Sequence, residues 1–273
     1  MNENPKISVL LTVYNSASYI GSSIESILQQ TFRDFELIII DDCSTDGSWE
    51  IVQKYAGEDP RIVAYKNEQN LGGCRNLISG LQHVRGKYIA RQDNDDWSYP
   101  DRLEKQFAFL ESHPEVGIVG GSMEIMDTNG EGVGKRTYHL TDTEIRKKIF
   151  RYSPFAHPLV MIRRSVLDKV GPYDPVYAPA DDYDLYFRIG KESQFANLPD
   201  VLLKYRMVPG SMTFRSTKKM ELTTIQVRSR YSKDSRYPFS PIDQIYNWLH
   251  YLSIFIIPPR IKIHLFNWLR NER

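Results

Sequence analysis

The stretch of the chain most suited to chemistry is Asp93-Asn94-Asp95-Asp96, which places three aspartates in four consecutive positions. Like charges this close repel one another unless a cation lies among them. Carboxylate oxygens are hard ligands that suit Mg²⁺ or Mn²⁺, and such ions commonly bridge to phosphates. The cluster therefore predicts a divalent metal site, and a solvated acidic turn is the alternative interpretation.

The acidic cluster follows an apolar run at Tyr88-Ile89-Ala90, which predicts a buried strand over residues 88–92. Earlier runs at residues 6–14, 36–40 and 61–65 predict three more strands, and segments with helical spacing separate them. This alternation predicts an α/β fold with a doubly wound, mostly parallel sheet flanked by helices. Such sheets bind ligands beyond the carboxyl ends of their strands, where the acidic cluster lies.

Other polar residues follow predicted strand ends or begin a helix. Thr12 and Tyr14 end the first strand, Asp42 follows the second, and Asp181 and Asp182 open a later helix. Tyr14 is suited to stacking on a base, and Asp42 is suited to accepting a hydrogen bond from a base or ribose. Packing or helix capping explains each residue singly, so it is their expected convergence on one sheet edge that indicates a binding site.

Length and composition fit one large α/β domain with an appendage, since the chain has 273 residues, 41% hydrophobic and 25% charged. A formal net charge of +1 gives no field that would favour nucleic acid. Two cysteines, Cys43 and Cys74, cannot form a disulfide framework; we interpret them as small buried residues in a reduced, cytoplasmic setting. We expect neither a signal peptide nor a transmembrane helix.

The second half of the chain is less regular. Residues 124–138 are rich in glycine and predict either a flexible loop or a pair of short strands. Thr141-Asp142-Thr143-Glu144 predicts a capping box at the start of a helix. Strands are predicted at residues 116–120, 159–162 and 201–205, and helices at 103–110, 164–170 and 181–189.

The ordered set of motifs resembles a family-2 glycosyltransferase with the GT-A nucleotide-diphospho-sugar transferase fold. The segments that carry the resemblance are residues 8–15, 26–32, 35–47, 70–72, 93–96, 100–103, 157–158, 171–174 and 181–185. Together they span residues 5 to about 210 in the expected order. A single segment would be weak evidence, whereas the ordered set is specific.

The resemblance implies a donor site for a nucleotide-diphospho-sugar, usually a UDP-sugar. The residues expected to bind this donor are Thr12, Tyr14, Asn15, Asp42, Arg75, Asp93, Asn94 and Asp95. Mn²⁺ or Mg²⁺ is expected at Asp93 and Asp95, with Asp96 as the adjacent candidate, and would neutralise the diphosphate leaving group. Asp182 matches the general base, which takes a proton from the acceptor hydroxyl in a single, inverting displacement.

This chain departs from the family pattern at two places. Val208 stands where many relatives have a histidine that approaches the metal or the diphosphate, and Asp181 stands where the family usually has glutamate. For Arg206 and Arg215 we considered a phosphate contact and, as the simpler role, a surface ion pair. His157 is interpreted either as an acceptor-side residue or as a structural histidine. For Arg91 we consider a contact with ribose or diphosphate and, as the simpler role, a counter-charge for the carboxylates.

The resemblance implies a GT-A catalytic domain over residues 1–214, with a nucleotide-binding half at about 5–100 and an acceptor half at about 101–214. A helical extension is expected over residues 215–273. It either packs on the catalytic domain or lies in a membrane interface through Trp248, Phe255, Trp268, Arg260, Lys262 and Arg270. The second interpretation would place the enzyme on the cytoplasmic face of a membrane, with a lipid-linked or envelope glycan as acceptor.

The function expected is an inverting, metal-dependent glycosyltransferase of the hexosyltransferase type, acting in cell-envelope polysaccharide, lipopolysaccharide or glycoconjugate biosynthesis, with no nucleic acid partner. A noncatalytic sugar-nucleotide-binding or membrane adaptor protein is the alternative, and it would not need Asp182. A sugar nucleotidyltransferase would need a Gly-rich phosphate loop where Tyr14-Asn15-Ser16 stands.

Overall fold

A nine-stranded sheet lies at the centre of the protein, in a computed structural model that describes residues 4–208, 217–258 and 261–262. The strands are β1 Ile7–Val13, β2 Phe35–Asp41, β3 Ile62–Lys66, β4 Tyr88–Asp93, β5 Trp97–Ser98, β6 Val116–Met126, β7 Gly132–Arg136, β8 Met161–Arg163 and β9 Gln194–Arg206. Their order is β3-β2-β1-β4-β8-β6-β9-β5, with β7 paired to β6.

The first four strands in chain order run parallel, as the sequence predicts. Every residue of β2 is buried, because helices cover both faces of the sheet. The carboxyl ends of β1, β2, β3 and β4 therefore meet at one edge. β8 pairs antiparallel with β4 and β6, while β6 pairs parallel with β9, so the sheet is mixed beyond β4.

Nine α-helices flank the sheet within the described ranges. They are α1 Ile20–Leu28, α2 Ser48–Glu58, α3 Gly73–Leu81, α4 Arg102–Ser112, α5 Asp142–Lys148, α6 Arg164–Val170, α7 Asp181–Ile189, α8 Thr217–Tyr231 and α9 Pro241–Ile256. The predicted capping box is confirmed, since Thr141 and Glu144 satisfy each other's backbone N–H groups at the start of α5.

Alternating side chains of β1 divide the core into two layers. Val9 and Leu11 pack with α1 and α2 on one face, while Leu10 packs with α3 and α7 on the other. Gly80 of α3 lies against this second face, where a Cβ would come within 2.4 Å of the Leu10 side chain. The close approach of α3 to β1 fixes where the helix begins, and so where its first-turn residues stand.

Strands β6 and β9 are longer than the sequence indicates. β6 continues to Met126 and turns into β7, so the Gly-rich segment forms two strands, the second of the two alternatives. β9 begins at Gln194 rather than at residue 201, and it pairs with β6 through three shifts of register. Those irregularities break the simple alternation that identifies a strand in a sequence.

Helix α8 packs into the core of the second half of the molecule. Tyr231 stacks on Phe187 of α7 with ring centroids 4.6 Å apart and donates a hydrogen bond of 2.9 Å to Asp184. The buried Arg228 donates to the Arg151 carbonyl at 2.7 Å and to the Tyr183 hydroxyl at 3.1 Å. Helix α8 therefore packs on the preceding fold, as one of the two interpretations of the helical extension expects, while the domain boundary at 214/215 stays a prediction.

Helix α9 is held at its beginning and along one face, where Arg228 of α8 donates to the Asn247 side-chain oxygen at 3.0 Å and Ile254 is buried. Asp243 is 1% exposed and pairs with Arg151 at 2.6 Å. The helix leaves a broad apolar face exposed, formed by Ile242, Ile245, Trp248, Leu249, Phe255 and Ile256. None of the helices in the described ranges is both long and apolar enough to cross a membrane. Arg215, Arg260, Trp268 and Arg270 lie outside the described residues.

Candidate active site

The strand register brings the predicted edge residues together. Thr12 of β1 lies opposite Asp93 of β4, and Val13 lies opposite Asp41 of β2. Tyr14 follows β1 with 49% of its surface exposed, which leaves its ring available at the edge. The convergence expected from parallel strands is therefore present in the fold.

Asn15 joins the loops that follow β1 and β2. Its backbone is in the left-handed region, with φ of 49°, and its side-chain oxygen accepts a hydrogen bond of 2.9 Å from the Thr45 N–H. Its own N–H donates to the Ser44 hydroxyl at 3.0 Å. These contacts hold Tyr14 in place at the edge, and contact of Asn15 with a donor stays a prediction.

Asp42 is 2% exposed and holds the segment that precedes α3. Its carboxylate accepts hydrogen bonds from the Leu71 N–H at 2.8 Å, from the Gly72 N–H at 2.9 Å and from the Asn67 amide at 2.9 Å. Since these donors already occupy both oxygens, Asp42 positions the start of α3. The predicted contact of Asp42 with a nucleotide stays a prediction.

Arg75 stands in the first turn of α3, next to this edge. It is exposed and makes no hydrogen bond or ion pair with the residues that the structure describes. Lys66, the last residue of the neighbouring strand β3, is by contrast engaged, since its ammonium lies over the Trp49 ring. Arg75 is thus a cation at the start of α3 whose charge is available to an anionic ligand.

Arg91 is the counter-charge of Asp93, as the sequence suggested. The guanidinium is 2% exposed and donates to the Asp93 carboxylate at 2.6 Å and to the Leu10 carbonyl at 2.7 Å. The Asp93 side chain retains 35% exposure. A buried cation therefore orients Asp93 while leaving part of its carboxylate open to solvent.

Asn94 ties the loop after β4 to the loop after β1. Its amide group donates to the Thr12 carbonyl at 2.9 Å, and its oxygen accepts from the Ser16 hydroxyl at 2.8 Å. Both ends of the side chain are engaged by the protein. Asn94 thereby sets the spacing between the acidic cluster and Tyr14.

Asp95 and Asp96 differ in access. Burial and the charge of Asp93 raise the pKa of the partly buried Asp95 to about 7. Asp96 is 0% exposed; one oxygen accepts from the Arg206 N–H at 2.9 Å, and the other has no hydrogen-bond partner among the described residues. Burial, together with the charges of Asp95 and Asp93, raises the pKa of Asp96 well above its usual range.

Metal binding by Asp93 and Asp95, with Asp96 as the adjacent candidate, stays a prediction. Within residues 4–208, 217–258 and 261–262 no three His, Cys, Asp or Glu side chains converge on a point that would hold a metal. Asp96 is enclosed, whereas Asp93 and Asp95 both have access to solvent. Mg²⁺ and Mn²⁺ are commonly held by one or two carboxylates plus substrate phosphates, and this pair fits that mode. A cation would also relieve the repulsion that raises the pKa of Asp95.

Arg206 locks the acidic cluster in place. It donates to the Asp95 carbonyl at 3.0 Å and to the carbonyls of Asp127 and Thr128 at 3.2 and 3.1 Å. The surface ion pair considered for Arg206 is therefore wrong, because its acceptors are backbone carbonyls. Residues Met207 and Val208 continue from β9 beside this site.

Helix α7 presents Asp181 and Asp182 in its first turn. Burial and the negative charge of Asp181 raise the pKa of Asp182 to about 7. The Asp182 carboxylate also accepts a hydrogen bond of 2.8 Å from the Tyr183 N–H. Carboxyl groups with raised pKa values near neutrality are suited to general-base chemistry.

Cys74 links the two halves of the molecule at this site. Its thiol lies beside the buried Asp181 carboxylate, and burial together with the charge of Asp181 raises the pKa of the thiol. Cys74 follows Gly73 in the first turn of α3, whereas Asp181 begins α7. No sequence pattern predicts this contact, because the two residues are more than one hundred positions apart.

The rings of His157, Tyr173 and Tyr186 form an aromatic cluster near Asp182 that was also not predicted from the sequence. The His157 ring hydrogen-bonds the Tyr173 hydroxyl at 2.8 Å. Burial and the charge of Arg91 hold the pKa of His157 well below its usual range, which supports its interpretation as a structural histidine. Tyr186, one turn after Asp182, is fully buried; burial raises its pKa well above the usual range, and the charges of Asp182, Tyr173 and Tyr138 act in the same direction.

Comparison of the sequence with known proteins identifies related chains. EpsE of Bacillus subtilis, which carries a provisional glycosyltransferase name, is 38% identical over 210 residues that cover 76% of this chain and 74% of EpsE. The O-antigen biosynthesis glycosyltransferase WbnJ of Escherichia coli is 34% identical, covering 74% of this chain and 79% of WbnJ.

Two solved structures share the fold of this chain. The mannosyltransferase PcManGT of Pyrobaculum calidifontis, in complex with GDP-Man and Mn²⁺, has a TM-score of 0.69 at 19% identity and covers 100% of this chain and 77% of its own. TarS of S. aureus, in complex with UDP, has a TM-score of 0.60 at 22% identity and covers 85% and 73%. The predicted fold class is thereby confirmed.

A family model points the same way as these relatives. The model described as "Glycosyl transferase family 2" matches residues 8–171, which contain the sheet edge and its carboxylates. The predicted enzyme class is confirmed, in place of the noncatalytic alternative. The chain belongs to glycosyl transferase family 2 and is a glycosyltransferase.

Proposed function

We propose that this glycosyltransferase moves a sugar from a UDP-sugar to an acceptor hydroxyl in a metal-dependent reaction that inverts the anomeric configuration. The observation that carries the proposal is the pairing of two carboxylate sites. Asp93 and Asp95 stand at the sheet edge, and Asp182, with a pKa of about 7, stands at the start of α7. Cys74 at the start of α3 lies beside Asp181 at the start of α7, so the two helix ends are neighbours.

The donor would bind along the carboxyl edge of the sheet. The exposed ring of Tyr14 is available for stacking on the base, with Thr12 beside it in β1. Arg75 supplies a positive charge to the diphosphate. Asn15, Asp42 and Asn94 act by holding these groups in position through the contacts they make to neighbouring loops. UDP is proposed because the resemblance to the family implies it; TarS, which shares the fold, is solved with UDP, and PcManGT is solved with GDP-Man.

Asp93 and Asp95 would hold Mn²⁺ or Mg²⁺. When bound, such an ion stabilises the negative charge that develops on a diphosphate leaving group. The buried Arg91 orients the Asp93 carboxylate by donating to it, and Arg206 fixes the backbone at Asp95 by donating to its carbonyl. The protein thus presents the two carboxylates in a set position, which lowers the cost of organising them on binding.

Asp182 would act as the general base. A carboxyl with a pKa of about 7 is substantially ionised at neutral pH, and it is basic enough to take a proton as the acceptor oxygen attacks. The acceptor oxygen forms a bond to the anomeric carbon while the bond to the diphosphate oxygen breaks. One displacement from the opposite side inverts the configuration.

The proposed setting is the assembly of a cell-envelope polysaccharide or related glycan at the cytoplasmic face of a membrane. WbnJ, whose name assigns it to O-antigen biosynthesis, supports the acceptor class. The exposed apolar face of α9 supports membrane contact, and Lys218 lies over its Phe255 ring at 5.1 Å, which adds a cation to the edge of that face. Lys262, predicted as a membrane contact, instead pairs with Glu221 at 3.0 Å.

Thermal unfolding with UDP-sugars and GDP-sugars, each with and without Mn²⁺, tests the donor and the metal. A ligand that binds the folded state raises the midpoint of unfolding, by an amount set by its affinity and concentration. We expect stabilisation by UDP-sugars that grows on adding Mn²⁺. Equal or greater stabilisation by GDP-sugars would contradict the UDP donor, and insensitivity to Mn²⁺ would contradict the metal.

Sedimentation with lipid vesicles tests the membrane proposal. We expect binding to vesicles that contain anionic lipid and loss of binding in Leu249→Glu, which places a charge on the apolar face of α9. Val176→Glu is the matched control, because Val176 is an exposed apolar residue elsewhere on the surface. Equal sedimentation of the two variants would contradict a role of α9 in membrane contact.

A further inference from the structure

A cavity of about 300 Å³ lies between α5 and the segment that follows β7. Its lining includes Tyr138, His139, Lys148 and Tyr152. We propose that this cavity binds a sugar unit of the acceptor that carries a negatively charged substituent, either a carboxylate or a phosphate. The inference rests on the proposed function, since it names the class of acceptor for the same catalytic base.

Hydrogen bonds between lining residues and from the buried Asn197 hold the walls of the cavity in place. The His139 ring hydrogen-bonds the Tyr152 hydroxyl at 2.9 Å, and the two rings are nearly parallel, with an interplanar angle of 21°. Asn197, which is 4% exposed, donates to the carbonyls of His139 and Pro154 at 2.8 and 3.1 Å. The cavity is therefore formed before a ligand arrives, and its aromatic lining suits the apolar face of a sugar ring.

The charge of the lining favours an anion. Lys148 is partly buried, and its side-chain ammonium makes no ion pair or hydrogen bond within the described parts of the chain. No Asp or Glu occurs among the described residues that line the cavity. The nearby Glu144 carboxylate is engaged with Thr141 in the helix cap. A ligand carboxylate or phosphate would supply the partner that Lys148 lacks.

The other cations at the end of α5 do not share this position. Arg146 pairs with Asp142 at 2.7 Å and donates to the Gly190 carbonyl at 2.8 Å. Lys147 is exposed and does not line the cavity. Cations are favoured at the carboxyl end of a helix, but this preference applies to Lys147 and Lys148 alike. It therefore does not explain why Lys148 lines the cavity and Lys147 does not.

The cavity is connected to the proposed base through α7. The carbonyl of Ile149, a lining residue, accepts a hydrogen bond from the Tyr183 hydroxyl. Tyr138 lies close enough to Tyr186 to influence its ionisation, and Tyr186 stands in the same relation to Asp182. The cavity therefore lies against α7, the helix that begins with Asp181 and Asp182.

Saturation-transfer NMR with three methyl glycosides tests the inference. The probes are methyl glucuronide, methyl glucoside 6-phosphate and the neutral methyl glucoside, each titrated into the full-length protein. We expect the two charged probes to bind more tightly than the neutral one, and the tighter of them identifies a carboxylate or a phosphate. Lys148→Gln should weaken that probe by about fivefold, as loss of one partly screened ion pair predicts.

Lys147→Gln is the matched control, because it removes the same charge one position away and outside the cavity. Equal weakening by Lys147→Gln and Lys148→Gln, tighter binding of the neutral probe, or no binding of any probe would overturn the inference. Binding of UDP is measured on the same samples. A protein that binds UDP but none of the glycosides contradicts the acceptor inference alone, whereas a protein that binds no nucleotide contradicts the proposed function.

Discussion

Tyr186 stands one helical turn after Asp182 on α7, and its buried hydroxyl approaches the Asp182 carboxylate closely enough to lower the pKa of that group. The contact does not meet the geometry of a full hydrogen bond. Burial and the charge of Asp181 act in the opposite direction and are larger, so the pKa of Asp182 is about 7. The two residues together set the pH at which the proposed base ionises.

Tyr186→Phe should move the pH dependence of transfer to higher pH. Activity requires the ionised base, so in the wild type the rate rises with pH through a midpoint near 7. Loss of the hydroxyl removes an interaction that favours the ionised form, and the midpoint should rise by about half a pH unit. The measurement is kcat against pH at saturating donor. Tyr237→Phe is the control, since its buried hydroxyl donates to the Phe187 carbonyl; an equal shift in both variants would contradict the role of Tyr186.

Asp182→Asn should keep donor binding, lose transfer and gain stability at alkaline pH. The folded pKa of about 7 lies above the ordinary value of 3.8, so the folded state binds this proton more tightly than the unfolded state. The resulting stabilisation is complete below about pH 4 and is lost as pH rises through about 7.

At pH 8 the neutral amide in Asp182→Asn should therefore raise the free energy of unfolding by about 2 kcal/mol, and the difference should vanish below about pH 4. Urea unfolding at the two pH values measures it, and calorimetric titration of UDP checks donor binding. Asp168→Asn, at an exposed position on α6, serves as the control for charge removal. Transfer by Asp182→Asn at the wild-type rate would refute the assignment of the base.

Asp95→Asn should abolish the effect of Mn²⁺ on UDP binding. In the wild type we expect Mn²⁺ to tighten UDP binding. In Asp95→Asn the affinity for UDP in the presence of Mn²⁺ should fall by about tenfold or more, because a charged metal ligand is lost. Asp96→Asn is the informative comparison, because Asp96 is enclosed and bonded to the Arg206 N–H. It should keep the Mn²⁺ effect in samples whose folding is verified by thermal melting. The opposite pattern would place the ion at Asp96.

Arg75→Gln should weaken UDP binding with little effect on stability. The exposed guanidinium has no partner within the described part of the chain, so its removal costs the fold nothing, while a charge-assisted contact to phosphate is worth about 1.5–3 kcal/mol. Calorimetric titration of UDP and uridine separates the effects, because only the diphosphate would lose affinity. Lys54→Gln, an exposed cation on α2, is the control. Equal affinity of wild type and Arg75→Gln for UDP would remove Arg75 from the site.

The sequence by itself determined the parallel half of the sheet, the edge at which it ends and the family. The runs at β1, β2 and β4 are short and apolar, and the residues that end them are polar, so local pattern is sufficient to identify them. The position of Asp182 at a helix N-terminus could also be predicted from the sequence, because acidic residues favour that end of the helix dipole.

Only the tertiary structure decided how these residues are used. In the fold, Asp96 is buried and accepts a hydrogen bond from the Arg206 N–H. Asp42 accepts hydrogen bonds from the segment before α3, and Cys74 lies beside Asp181. These contacts join residues far apart in the chain, and no local periodicity encodes them. Burial of α7 against α6 and α8 likewise raises the pKa of Asp182, and desolvation of a carboxylate is a property of the packed fold rather than of a motif.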